Sequence, residues 1–480
     1  MGELRGALFL TWCMCAASCA TAVSPSVEKG QGEPSVLAEA SGAHKAPPTR
    51  LGGDTTVDVT NKHAFGKSLS NLPIPRLRDF AYGNRLFNTA WVTAPASVDN
   101  FDGLGPLFNR HSCVGCHVRD GRGKAPEAGE TRLLSSLVRI SIPGEGAHGA
   151  PKKHPIYGAQ LQDKSISPEA PEAQVNIAYE AHEVVYPDGR VITLRRPLIR
   201  LSDYGYGTPD PPLLTSFRVA SAVHGLGLLE AVPEESVLAW ADPDDSDGDG
   251  ISGRPNWVWE HEARKRSLGR FGWKAGQPSL RQQTAAAFAG DIGITSSIVQ
   301  RDDVSNYQRA GMQGPDGGDP ELRNRDLNAV VFYLRALAVP AARQGDSGLI
   351  ARGYHYFDEV GCAACHRPNF ETGGEAELPS LANQRIHPFT DLLLHDMGEG
   401  LSDGRPDFDA SGAEWRTPPL WGIGLVERVN GHTFLLHDGR ARDLEEAILW
   451  HGGEAERSKR RFMALDRRER EALMAFVQSL

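Results

Sequence analysis

The sequence predicts a mainly α fold made of two helical domains related by an internal repeat, the first enlarged by a small β-rich insertion. Three observations carry that expectation. Four short words recur in the same order in both halves of the chain. Two segments show the i, i+3, i+4 apolar spacing of a half-buried helix. A Cys-x-x-Cys-His motif stands near the start of each half.

The repeat comes first in the argument. Gly83-x-x-Leu86-Phe87 precedes the first motif, and Gly353-x-x-Tyr356-Phe357 precedes the second. Gly225–Val232 matches Gly422–Val429. Phe271-Gly-Trp273 with Ser279-Leu280 matches Leu435-Leu-His437 with Asp443-Leu444, and Leu327–Leu334 matches Arg470–Val477. The offset falls from 197 to 164 residues between the second and third words, so the first half carries a 33-residue insertion there. Helical spacing runs from Asp326 to Leu337, with Leu327, Val330, Val331 and Leu334 on one face, and again from Arg470 to Leu480. Residues 135–200 alternate instead, as in Leu137–Ile142 and Val191–Leu194, with a turn at Tyr186-Pro-Asp-Gly-Arg190. These are the strands of the insertion.

Residues 1–19 read as an export signal. Arg5 is followed by a Gly6–Ala17 run too short to span a bilayer. Cys19 after small residues reads as the lipidated cysteine of a lipoprotein; cleavage near Ala22 is the other reading. Both export the chain to the periplasm, the first with a lipid anchor. Residues 20–60, rich in Pro, Gly, Ser and Glu, read as a flexible linker. The N-terminal domain is then 61–340 and the C-terminal domain 341–480. A net charge of −10 gives nucleic acid no purchase, and an apolar share of 40% is ample for globular cores.

Of seven cysteines, Cys13, Cys15 and Cys19 lie in the signal region, and the other four fall in the two motifs. Cys-x-x-Cys-His offers two thiols to haem vinyl groups and sets a histidine beside the iron. On that reading Cys113, Cys116 and His117 hold one covalent haem c, and Cys362, Cys365 and His366 a second, in cytochrome c-like domains. A zinc site and a redox dithiol are the rival readings of a single such motif. Within the 33-residue insertion, Asp245, Asp247 and Asp249 alternate before Gly250. They could turn three carboxylates, with the Ile251 carbonyl, toward one Ca2+. Asn256 stands where such loops carry a bidentate glutamate; a solvated acidic turn is the alternative.

Two longer words carry a resemblance. Asp102-Gly-Leu-Gly-Pro-Leu-Phe108 and Leu436-His-Asp-Gly-Arg-Ala441, followed by Leu444-Glu-Glu-Ala447 and Trp450-His-Gly-Gly453, resemble the di-haem oxidoreductase branch of the bacterial di-haem cytochrome c peroxidase superfamily over most of residues 80–480. In the peroxidases the stretch after His-Asp-Gly-Arg brings the distal ligand of the C-terminal haem. The resemblance puts His451 there, with Met397 as the alternative. In the first half it implies Trp273 as an electron conduit between haems, Gln283 in the distal pocket and Asp291 as the acid–base group. Ala287 falls where the second half has His451, so the first iron is expected to be open. His63, His111 and His224 remain candidates to close it in a resting state.

The implied function is an exported peroxidase-like oxidoreductase. Its N-terminal haem is catalytic and its C-terminal haem transfers electrons. It takes a small redox protein as donor and peroxide or a similar small oxidant as substrate. A non-catalytic electron carrier and a haem-based small-ligand sensor are the alternatives. The thiol oxidoreductase label given to this branch finds no cysteine to support it here.

Overall fold

The computed structural model describes residues 46–97, 101–312 and 317–480. Six helices frame the site: α1 (Leu77–Asn88), α2 (Leu280–Ala287), α3 (Asn324–Arg335), α4 (Ser347–Glu359), α5 (Leu444–Leu449) and α6 (Arg467–Ser479). The spacing read over Asp326–Leu337 is α3, with Leu327, Val330, Val331 and Leu334 all buried. The other spaced segment is α6. It starts at Asp466, whose carboxylate accepts from Glu469 N while the Glu469 side chain closes a capping box.

Helix α1 packs on α3, and α4 packs on α6. Both crossings rest on a glycine. A Cβ on Gly83 would run into the Ala329 carbonyl, and one on Gly353 into the Ala472 carbonyl. Other matched words also share local geometry. Phe271 bridges Gln277 as Leu435 bridges Ala441. Ser279 and Asp443 cap α2 and α5 by accepting from Gln282 N and Glu446 N.

Beyond these pieces the expected class fails. Among the described residues helix makes up 29% and strand 18%, the latter in several small antiparallel sheets. The fold is therefore not mainly α and is not a pair of helical cytochrome domains. Glycine and proline, 52 and 32 residues of the sequence, break up what the apolar words suggested. Gly225–Val232 and Gly422–Val429 give helices of only five residues, Leu226–Glu230 and Val426–Asn430. The latter ends at Gly431 in a left-handed conformation.

The β-rich segment comprises β1 (Ser136–Ser141), β2 (Gln160–Leu161), β3 (Gln174–Val185), β4 (Val191–Ser202) and β5 (Leu214–Val219). Strand β1 lies between β2 and β5, while β3 and β4 pair as a hairpin closed by the Tyr186–Arg190 turn. The hairpin is longer than the alternation alone indicated, because its tip grips the second half. Tyr186 OH donates to Glu445 Oε1 at 2.7 Å, Arg190 pairs with the same carboxylate, and Asp188 pairs with Arg470 at 3.2 Å.

The expected signal over 1–19, with Cys13, Cys15 and Cys19, and residues 20–45 of the expected linker lie outside the described residues. Residues 46–60 of that linker are packed, with Leu51, Thr55 and Thr56 buried and Val57 N bonded to Val339 O. Among the described residues no helix is long and apolar enough to cross a membrane. Buried residues of both halves, among them Phe87, Leu334, Phe357 and Phe476, belong to one core.

Gly83→Ala and Gly353→Ala are each expected to destabilise the protein by about 1–3 kcal/mol, the usual cost of overpacking a tight contact. Denaturant titration checks this, and unchanged midpoints in both variants would show that the crossings tolerate a methyl group.

Candidate functional site

Each motif sits on a short 3-10 turn following a helix, Cys113–Gly115 after α1 and Cys362–Ala364 after α4. The histidine N–H bonds the first cysteine's carbonyl in both: His117 N to Cys113 O at 2.9 Å, His366 N to Cys362 O at 3.0 Å. One turn thus presents two thiols and an imidazole together. His117 Nδ1 donates to Ser221 O at 2.8 Å and His366 Nδ1 to Phe389 O at 2.9 Å. With Nδ1 engaged, Nε2 is the nitrogen left to bind metal. Burial lowers both pKa values, that of His366 to about 4. Burial also pushes the thiols of Cys113, Cys116 and Cys362 up to about 12, the reverse of an activated redox dithiol.

One cavity of about 450 Å³ is lined by both motifs. Its wall carries six arginines and Lys459 against two carboxylates, Asp291 and Glu454, in a chain of net charge −10. Apolar surface, two thiols and an imidazole at each motif, and a surplus of cations suit a large apolar ring bearing carboxylates. The residues present therefore fit haem.

At the second motif, His451 and Met397 both line this cavity. His451 follows α5, and its Nδ1 donates to Ala447 O at 2.7 Å, the same engagement of Nδ1 as at His117 and His366. His366 and His451 are near enough that a charge on His451 helps lower the His366 pKa. The Met397 carbonyl packs against Gly452, so both candidate ligands occupy one corner.

At the first motif, Gln283, Ala287 and Asp291 line the cavity. They stand at i, i+4 and i+8 along α2 and the π-helical turn Phe288–Ile292 that continues it, a spacing that stacks side chains on one face. Asp291 Oδ1 accepts from Gln160 Nε2 at 2.7 Å, and its charge acts on Cys113, Cys116 and His117. Trp273 is buried on the wall. Its Nε1 donates to Val219 O at 2.9 Å, the Arg122 guanidinium lies 5.0 Å from its ring centre, and its carbonyl accepts from Arg416 N of the second half. His63 and His111 are exposed and do not line the cavity. His224 does, buried and stacked on Phe65 at 4.0 Å.

The sequence reading missed two groupings. His395 is buried between carboxylates, with Nε2 2.8 Å from Asp391 Oδ2 and Nδ1 2.6 Å from Glu454 Oε2. Cys365 Sγ lies 3.5 Å from Nδ1. Burial opposes its protonation, yet Asp391 and Cys365 hold the pKa well above its usual value. The i, i+4 pair Asp391/His395 flanking a leucine run was the available signal. The second grouping is a stack. His437 lies face to face with Trp415 at 3.5 Å, and the Lys274 ammonium sits 4.2 Å from the Trp415 ring centre. Sequence spacing gives no hint of that stack.

In the acidic loop, carboxylate oxygens of Asp242, Asp245 and Asp247 lie within 4.8 Å of one another. Asp249 is not in that group; its Oδ1 accepts from Ile251 N at 2.8 Å. Asp242, which the loop spacing left out, takes its place. Asn256 is committed elsewhere, donating to Lys274 O and Asp407 O. The Ile251 residue itself lines the cavity.

A comparison with curated proteins finds no match. Among solved structures, a hydrazine synthase from Kuenenia stuttgartiensis, pressurised with xenon, is similar over 94% of this chain and 100% of its own, at 16% identity. Its TM-score of 0.34 carries no argument about fold or function. A family model described as "Di-haem oxidoreductase, putative peroxidase" matches residues 46–480. The chain belongs to the di-haem oxidoreductase family, and haem is its cofactor.

Proposed function

We propose that this protein is an exported, peroxidase-like oxidoreductase with two covalently attached haems. Catalysis belongs to the first motif and electron transfer to the second. One observation carries the reading: Gln283, Ala287 and Asp291 line the same cavity as Cys113–His117, while the position matching Ala287 in the second half is His451. Alanine cannot ligate iron and histidine can, so a haem at the first motif would meet no ligand at this position while one at the second would meet His451. A haem iron with an open position supplies peroxide binding and electron transfer.

The chain's residues do the rest. His117 Nε2 and His366 Nε2 would hold the two irons, with His451 Nε2 the further ligand offered at the second motif. Hydrogen peroxide consumes two electrons and two protons and leaves as two waters. Asp291 Oδ2 takes the proton from the near peroxide oxygen and returns it to the departing one, with Oδ1 held by Gln160. The Gln283 amide donates to the departing oxygen. Trp273, bonded to Val219 and Arg416, carries electrons between the sites. A small redox protein supplies them in the periplasm. The Asp242–Asp247 carboxylates hold a Ca2+ beside this assembly.

The purified native protein is expected to keep haem stain in denaturing gels. Asp291→Asn should retain both haems and their spin states but slow peroxide turnover ~100-fold or more, the scale of a lost general acid–base. Wild-type protein that shows only six-coordinate low-spin iron, ferric and half-reduced, and ignores peroxide would make it an electron carrier instead.

His451→Ala should convert the second haem to high spin in optical and EPR spectra, with Met397→Ala leaving it low spin. The opposite pattern assigns the ligand to Met397.

Asp247→Ala should abolish bound calcium, measured by elemental analysis, with both haems still attached. Unchanged metal content in that variant makes the loop an ordinary acidic turn.

A further inference from the structure

We propose that Arg139 and Arg218 bind the carboxylate arms of the haem at the first motif. The inference rests on the two-haem reading and names residues that the resemblance did not. Strand β1 supplies the geometry. Just before it, Leu134 O lies 3.9 Å from Cys116 Sγ, at the attachment edge. Along the strand, Val138 and Ile140 are buried at 1% and 0% exposure on one face, while Leu137 and Arg139 line the cavity on the other. The register with β5 pairs Leu137 with Arg218 and Arg139 with Ser216. Residues directly opposite in a sheet share a face, so Arg218 joins Arg139 on the cavity side. Five residues of strand reach about 16 Å, which carries the wall from the thiol edge toward the far side of a bound ring.

The local charge does not balance without an anion. Arg405, Arg218, Arg139 and Lys274 all act on Asp407, and Lys274 also pairs with Asp403 at 3.3 Å. Four cations thus face two carboxylates. Arg218 reaches Asp407 Oδ2 at 3.2 Å and Ser216 Oγ at 2.9 Å, and Arg405 reaches Asp407 at 3.4 Å. The Arg139 guanidinium has no hydrogen bond or ion pair among the described residues. Two buried polar atoms nearby also lack partners, Ser136 Oγ on the cavity wall and Arg405 Nε. Arg139 is half-buried, and a charge drawn even partly out of water without a partner is costly. Burial holds the Lys274 pKa down to about 8 and that of Arg405 to about 10. A guanidinium fork suits a carboxylate geometrically.

The test is a spectroelectrochemical titration of the mature di-haem protein, with haem counted by pyridine haemochrome. A cation beside a haem disfavours the ferric state, so Arg139→Gln should shift the first haem's midpoint potential downward and leave the second haem's unchanged. Arg139→Lys should restore most of the shift. Asp407→Asn, which adds net positive charge at the same place, should shift it upward and keeps the test alive if Arg139→Gln does not fold. An unmoved first-haem potential in the variants that fold, or a shift confined to the second haem, overturns the assignment. A wild-type protein without two haems fails the underlying di-haem reading instead, and that outcome is visible before any variant is made.

Discussion

The imidazoles of His117 and His366 each give their Nδ1 proton to a main-chain carbonyl, and the surrounding structure is organised to hold those two carbonyls still. Ser221 stands two residues after Val219, the last residue of β5, which is pinned from the other half by His437 O. Phe389 takes a left-handed φ of 54° to aim its oxygen at His366, and its ring packs on Phe357 and Phe476 at 5.8 and 5.6 Å. A bulky residue in that conformation is strained, and the aromatic cluster around it stabilises the arrangement. Had either carbonyl been free to move, its imidazole could rotate and lose the nitrogen that faces the cavity.

Neither half finishes its own site. Arg122, five residues after His117, donates to Phe434 O and Leu436 O in the second half. Trp273 is tied to Val219 on one side and Arg416 on the other. Glu454, three residues after His451, accepts from Ser252 Oγ at 2.6 Å at the end of the acidic loop. The acidic loop is thereby joined through Glu454 and His395 to Cys365. The two motifs share one cavity because each half's wall is closed by residues of the other.

This division explains what was legible in the sequence. Local signals read well: the apolar face of α3 and most of α6, whose first turn the spacing left out. Each depends on neighbours within a turn or two. The resemblance also led to residues that line one cavity, Gln283, Trp273, Asp291, Met397 and His451. The fold class was misread because the repeat words were extended into helices that glycines cut to five residues. Asp391 and His395 left only a local i, i+4 signal, and Glu454 could not be read with them because it joins from 59 positions away. Alternation alone does not show that Asp249 Oδ1 accepts from Ile251 N, or that Asp242 lies close to Asp245 and Asp247.

The β3–β4 hairpin has a consequence for how the molecule is assembled. Tyr186 grips a carboxylate 259 positions further along the chain, and Asp188 grips the Arg470 guanidinium 282 positions away. Contacts so distant in sequence form late, after the loop-closure entropy of the intervening chain has been overcome. A chain emerging from its N-terminus exposes the hairpin long before its partner exists. The clasp on Glu445 of α5 and Arg470 of α6 therefore closes only when nearly all the protein has been delivered.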